Sequence, residues 1–477
     1  DIEMISEGGA SFRFIVGKYG SGKSFLLQTI RNYATAKGFA VADADLSPER
    51  RFAGTKGQGL ATYKELMQNL SVKSKPDGGA LPLVLEKWLA GIYANEKKLF
   101  EEKLLDTTEK NFREEKLLDS SENNFCEEKI STHESRAIRD ESFEGGSAAR
   151  ETFASLIAPI GKTFSKVSPE EKKFSPEEEK KISATNEKKI SDAVEKKIFE
   201  MCNNLEGMVN GFEFAKAIAA YRRAYHDNDA ALKSNVIKWF RGEYVSRRDA
   251  KNDLDINFII TDENWYDFLK IIAMFLVGAG YNGLLVIVDE LVNIFKIPNS
   301  ITRANNYEKI LTMYNDVLQG KAKHIGFLMG GTPQCIEDKY RGVFSYEALR
   351  SRLAEGHFSR ETKDLTAPII RLEMLTQEQM YVLVEKLRDI HANLFDYTPL
   401  LSHEDLLYFL TVEYNRVGAA THITPREIIR DFIELINILH QNPQKSAGEI
   451  LGSNSFELAK GGLSDEEIHS EFTEFEL

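Results

Sequence analysis

The sequence predicts an α/β fold: a three-layer sandwich on a parallel five-stranded sheet, followed by a small α-helical lid. Three observations predict it. A glycine-rich segment lies between an apolar strand and a helix near the start, and a fully apolar strand far downstream ends in two adjacent carboxylates. Between and after them, short buried strands alternate with helical stretches, which is the pattern of βαβ units.

The first strand is the apolar run of Phe12, Phe14, Ile15 and Val16. It leads into Gly17-Lys18-Tyr19-Gly20-Ser21-Gly22-Lys23-Ser24, which fits G-x-x-x-x-G-K-[ST], the phosphate-binding loop (P-loop) pattern. In such a loop the glycines let the backbone curl until its N–H groups point at a β-phosphate. Lys23 would reach the β- and γ-phosphates, and the Ser24 hydroxyl would complete a Mg²⁺ shell. A chance glycine turn is the plain alternative. The flanking strand and helix (Phe25 to Ile30) favour nucleoside triphosphate binding. A second strand over 39–45 and a helix around 61–70 complete the opening of the βαβ unit.

The run Gly283-Leu284-Leu285-Val286-Ile287-Val288-Asp289-Glu290 supplies the second half of a site. Asp289 would hold Mg²⁺, directly or through water, and Glu290 would polarise the water that attacks the γ-phosphate. Adjacent Asp-Glu argues for hydrolysis over transfer to a small molecule. Apolar strands followed by acids are commonplace alone, so the loop gives this one its weight. The next strand, 325–330, runs into Gly331-Thr332-Pro333, where the Thr332 hydroxyl is a candidate γ-phosphate sensor; a plain turn would use the same residues. A fifth strand over 368–372 completes the set 12–16, 39–45, 284–289, 325–330 and 368–372.

Two arginine groups follow. Arg350 and Arg352 project from different faces of a helix over 346–353, so either can lie at a subunit boundary and complete a neighbour's site. A salt-bridged surface helix is the alternative. Thr424 and Pro425 have the form of an N-cap and first helical residue, placing Arg426 in a first turn from which it could fold back on the γ-phosphate.

These segments divide the chain into the two parts of a nucleotide-binding domain (1–94 and 201–374), an insertion (95–200), an amphipathic helical lid (375–442) and an acidic tail (443–477). In the insertion, Glu-Glu-Lys recurs at Glu101, Glu114 and Glu127, and Glu-Lys-Lys at Glu171, Glu179, Glu187 and Glu195. An eight-residue period rotates the apolar position by about 80° per repeat and spoils a continuous stripe. The expectation is a charged, solvated insertion, partly helical or disordered, in preference to a helical arm that grips a partner.

The net charge is −13, with 42% hydrophobic residues, enough for a core. Such acidity argues against a broadly basic, nucleic-acid-coating surface. Arg222, Arg223, Lys238, Arg241, Arg247, Arg248 and Lys251 interleave with Tyr225, Trp239 and Tyr244, which would suit either a small DNA-facing patch or ordinary solvated helix faces. Cys126, Cys202 and Cys335 have no metal-ligand spacing and favour a reducing cytoplasm. No apolar stretch approaches a membrane span. The start at Asp1, without methionine, is expected to be that of a fragment of a longer protein.

In this order, the loop, the Asp-Glu strand, Thr332, the arginine helix and Pro425-Arg426 resemble AAA+ ATPases near the origin-recognition and STAND-type branch. More narrowly, the chain resembles the BrxD-like ATP-binding proteins of bacteriophage-exclusion (BREX) defence systems. That resemblance is carried by Ala279-Gly280-Tyr281-Asn282-Gly283-Leu284, Asn305-Asn306-Tyr307-Glu308, Ser345-Tyr346-Glu347-Ala348-Leu349-Arg350-Ser351-Arg352 and Thr424-Pro425-Arg426-Glu427-Ile428-Ile429-Arg430. It implies a bacterial, cytoplasmic, Mg²⁺- and ATP-dependent antiphage component. It further implies self-association into a ring or filament, and a partner protein such as a helicase. It also implies an upstream segment that helps enclose the adenine, which is missing here. An ATP-gated switch or scaffold with little hydrolysis is the rival function, and a small-molecule kinase a weaker third.

Because the repeats bury little apolar surface, replacing residues 99–197 with a short flexible linker should leave ATP binding intact. Titration of the deletion variant with a fluorescent ATP analogue checks this, and an insoluble or nucleotide-blind product would contradict it.

Overall fold

The computed structural model describes residues 1–127, 176–206, 208–353, 364, 366–415 and 424–452. The expected repeats between 128 and 175 and the acidic tail beyond 452 lie outside these residues. The chain divides into two units, Asp1–Trp88 with Met201–Leu477, and Leu89–Glu200.

In chain order the elements are α1 (Ile2–Ser6), β1 (Ala10–Val16), α2 (Lys23–Ala36), β2 (Ala40–Asp45), α3 (Gln58–Gln68), α4 (Leu81–Glu127) and α5 (Pro176–Glu206). Then come α6 (Gly211–His226), α7 (Ala230–Phe240), α8 (Arg247–Leu254), α9 (Trp265–Gly278), β3 (Leu284–Asp289), α10 (Val292–Phe295) and α11 (Ser300–Leu318). The remainder comprises β4 (Ile325–Gly331), α12 (Pro333–Glu337), α13 (Glu347–Leu353), β5 (Ile369–Arg371), α14 (Gln377–Leu394), α15 (His403–Tyr414), α16 (Pro425–Gln441) and α17 (Ala447–Leu451).

The sheet has the order β2-β3-β4-β1-β5, and every pairing in it is parallel. Parallel strands need both faces covered, and the central strands β3 and β4 are accordingly apolar up to their last residues, whereas β1, β2 and β5 carry Arg13, Asp43 and Arg371. One face sets Ile15, Leu285, Ile287 and Leu328 against Leu27 and Ala34 of α2. On the opposite face Phe12 packs 5.6 Å from Phe327 and edge-on, at 5.5 Å, to Tyr314 of α11. Tyr266 of α9 reaches the same Phe327. Helices therefore lie on both faces, and all five strands end at one edge.

Two features depart from the sequence expectation. A short helix, α1, precedes β1 and buries Ile5, whose carbonyl lies 3.0 Å from His324 Nδ1. The aromatic residues proposed to alternate with the basic cluster are largely core. Trp239 is buried and donates its indole N–H to the Phe258 carbonyl at 2.8 Å, while buried Tyr244 bonds Asp253 at 2.8 Å. Neither ring is free to stack on a base.

The C-terminal helices α14 to α17 enclose a second apolar cluster centred on Val384, Phe409, Phe432 and Leu435. Each opens with a reciprocal capping box, at Thr376/Gln379, Ser402/Asp405, Thr424/Glu427 and Ser446/Glu449. Such a pair satisfies two backbone donors and fixes where each helix begins.

The second unit is described only in its helical ends. Exposed Lys97–Glu101 and Lys98–Glu102 pairs, at 4.0 and 3.8 Å, run along the α4 surface. Solvated i,i+4 pairs of this kind contribute about 0.3–0.5 kcal/mol each. Among the described residues, no helix is long and apolar enough to cross a membrane.

Candidate functional site

The segment 17–24 joins the end of β1 to α2 at the sheet edge where the strands end. The Gly17 N–H donates to the Gly331 carbonyl at 3.1 Å, which ties the loop's start to β4. Gly20 and Gly22 have φ of 72° and 89°, a region costly for any residue with a Cβ. Gly22 is the N-cap of α2 and offers no side-chain acceptor, so the first-turn N–H groups have no cap of that kind. A helix N-terminus of this form suits an anion.

Lys23 Nζ donates to the carbonyls of Gly17 (2.8 Å) and Lys18 (2.9 Å) and stands 5.6 Å over the Tyr19 ring. Burial pushes its pKa down, against the opposing pull of Asp289 and Glu290. The Ser24 hydroxyl donates to Asp289 Oδ2 at 3.1 Å. Asp289 is held from its other side as well, where its Oδ1 accepts the Glu290 N–H at 2.8 Å. Glu290 adopts φ 63°, rare for a residue with a long side chain and of the kind found at functional sites. Its carboxyl is raised from the ordinary range, first by burial, then by the charges of Asp289 and Asp45, with Lys23 and Lys296 opposing.

The acidic strand is not the loop strand's neighbour, since β4 lies between them. The Ser24–Asp289 contact can cross because β4 ends in glycine. A Cβ on Gly330 would overlap Asp289 Oδ1, and one on Gly331 would come within 2.7 Å of Cys335 Sγ.

Thr332, just past β4, is buried, and its hydroxyl caps α12 by accepting the Cys335 N–H at 3.3 Å. The Cys335 thiol also packs on this residue, donating to the Thr332 carbonyl at 3.1 Å. Thr424, the cap of α16, touches the loop: a Cβ on Gly20 would lie 2.6 Å from Thr424 Oγ1. Arg426, two residues on, is exposed and near enough to oppose the charged form of Lys23. The loop, with Lys18, Ser21, Lys23 and Ser24, is therefore faced by Asp289 and Glu290 at the end of β3, with Thr332 and Arg426 nearby.

Arg350 and Arg352 are not gathered there. Arg350 is exposed and 3.8 Å from Glu347, and Arg352 donates to the Ala348 carbonyl at 2.8 Å. Arg352 acts electrostatically on Tyr314, which packs near the beginning of β1, away from the strand ends.

Asp45, at the end of β2, joins the acidic group without any motif of its own. Its Cα is paired in register with that of Asp289, and burial and the Asp289 charge raise its pKa. A carboxylate closing the strand beside the Asp-Glu strand was the signal.

Sheet and loop together define an α/β protein with a glycine-rich loop and facing carboxylates at the ends of an all-parallel sheet. The chain belongs to the family described as "BREX system ATP-binding protein BrxC/D", whose model matches residues 1–128 and 171–455. It is thus an ATP-binding component of a phage-defence system. No curated protein matches the chain.

Gly330→Ala tests the crossing between strands. The added methyl should displace the Asp289 carboxylate and lower the affinity for Mg-ATP more than that for ATP in EDTA. Equal affinities in wild type and variant under both conditions would show that Asp289 is not part of the site.

Proposed function

We propose that this protein is a Mg-ATP hydrolase of the AAA+ type, acting as a ring or filament that remodels or loads a DNA-associated partner, such as a helicase, in phage defence. The observation that carries the reading is the Ser24–Asp289 hydrogen bond with Glu290 beside it. It brings a hydroxyl and a carboxylate, both hard oxygen donors, to the mouth of an anion-binding loop.

The residues fit Mg²⁺. Among the described residues no group of three or more His, Cys, Asp or Glu could hold a metal, whereas Mg²⁺ characteristically takes one or two protein oxygens and completes its shell with phosphates and water. Bound there through Ser24 and Asp289, the ion would neutralise charge developing between the β- and γ-phosphates.

The chain's own groups would do the rest. Lys23 exchanges its two carbonyl acceptors for phosphate oxygens, a stronger charge-assisted bond. Backbone N–H groups of 20–24 cradle the β-phosphate. Glu290 accepts a proton from the attacking water, its basicity raised first by burial and then by Asp289 and Asp45 beside it. Thr332 donates its hydroxyl proton to the water or γ-phosphate. Arg426 approaches from α16, so that residues 375–442 act as a lid. Arg350 and Arg352, exposed and outside their own site, would serve a neighbouring subunit.

Two substitutions test the site. Lys23→Ala should abolish ATP binding in equilibrium titration. Glu290→Gln should still bind ATP but turn it over about 10²–10⁴-fold more slowly in a phosphate-release assay. A loss below about tenfold in the latter would assign the base to another residue.

The shared-site arrangement has its own test. Arg350→Ala or Arg352→Ala should leave ATP affinity nearly unchanged and reduce hydrolysis only in the assembled state. Mixing that variant with Lys23→Ala subunits should restore part of the activity, since some interfaces pair an intact loop with an intact arginine. Full activity of both arginine variants, in a protein that stays monomeric with ATP, would refute the arrangement.

A further inference from the structure

Away from the loop, the start of α4 and helices α6 and α7 enclose an open cleft of about 400 Å³. That volume falls in the range of small-molecule sites. Tyr221, on α6, lines it. It is 0% exposed, and among the described residues its hydroxyl has no hydrogen-bond partner. A buried hydroxyl without a partner costs about 1–3 kcal/mol. Buried Tyr63 shows the usual resolution, donating to the Phe240 carbonyl at 2.8 Å.

A second buried donor in the same cleft, Arg241 Nε, is also without a partner among the described residues. Around these two stand Lys233, Ser234 and Lys238 of α7, on consecutive turns facing the cleft. The two ammonium groups are held over aromatic rings, Lys233 over Tyr225 and Lys238 over Tyr244, each at 4.8 Å. Ring faces position a cation without using its N–H donors. Of the two carboxylates in the lining, Glu243 lies 4.0 Å from Arg241 Nη1, and Glu86, though exposed, is near enough to act on Tyr221, leaving three cationic side chains against two carboxylates. The cleft therefore carries an excess of donors and of positive charge, with Ile237 and Pro82 as apolar wall.

We propose that this cleft is a binding site for a small phosphate ester, separate from the nucleotide loop. The phosphoryl group accepts from Tyr221 Oη, Arg241 Nε and the two ammonium groups, and the organic part lies against Ile237. A long polyanion fits less well. The chain carries a net charge of −13, which repels extended nucleic acid, whereas a compact anion meets only the local field. The neighbouring rings that could have stacked on bases, Trp239 and Tyr244, are buried.

Calorimetric titration of the full chain with ribose 5-phosphate tests the proposal. Tyr221→Phe should fold at least as stably as wild type, because it removes an unpaired buried hydroxyl and keeps the ring. It should nevertheless weaken binding about tenfold or more, as loss of a charge-assisted hydrogen bond does. Lys233→Gln should weaken it similarly and reduce its salt dependence, while Lys23→Ala should leave it unchanged. Absence of binding at millimolar ribose 5-phosphate, or binding that survives both Tyr221→Phe and Lys233→Gln, would overturn the proposal. So would binding abolished by Lys23→Ala, which would place the sugar phosphate on the loop. Displacement by single-stranded oligonucleotides with affinity rising with their length would overturn the small-ligand assignment.

Discussion

The hydrogen bond from Ser24 to Asp289 ties the first turn of α2, which follows β1, to the end of β3, a strand that β1 does not touch, and the arrangement of the site follows from that crossing. In a parallel sheet every strand delivers its last residues to one edge, so loop, carboxylates and Thr332 meet there without any long-range design beyond strand order. The intervening strand must then give way. It does so with Gly330, where any side chain would occupy the position of Asp289 Oδ1. Close approach, more than conformational freedom, is the reason for glycine at that point.

Charge imposes the second constraint. Asp45, Asp289 and Glu290 share one edge, and burial together with mutual repulsion raises the carboxyls of Asp45 and Glu290. Lys23 and Lys296 oppose the repulsion around Glu290. The left-handed backbone at Glu290 adds strain, and the hydrogen bond from its N–H to Asp289 helps hold that conformation in place. Repulsion and strain accumulate at the candidate site, directly above the apolar cluster of Ile15, Leu27 and Ile287.

Much of this was legible in the sequence because short apolar runs such as 284–289, bounded by glycine and turn residues, read as buried strands. Strand 284–289 coincides with its expected limits, and the other four differ by one or two residues at an end. Strand order was not legible, since no local signal says that β4 inserts between β1 and β3. Asp45 went unnoticed because its importance comes from register with Asp289, a property of two distant segments. The aromatic residues near Arg241 misled for the opposite reason. Alternation with basic residues resembles a stacking surface, yet Trp239 points inward and spends its N–H on Phe258. Capping boxes ahead of α14 to α17, by contrast, mark helix starts that short-range chemistry alone decides.

The contact between Gly20 and Thr424 has a mechanical consequence. Thr424 begins a helix of 17 residues, Pro425–Gln441. At 1.5 Å per residue that helix is about 25 Å long, so a tilt of about 10° at its first turn would sweep its far end through about 4 Å. Leu435, Ile436 and Leu439 of the same helix are packed into the C-terminal apolar cluster, so the swing cannot stay local. Any rearrangement of the loop backbone that tilted this helix would therefore carry the C-terminal cluster with it.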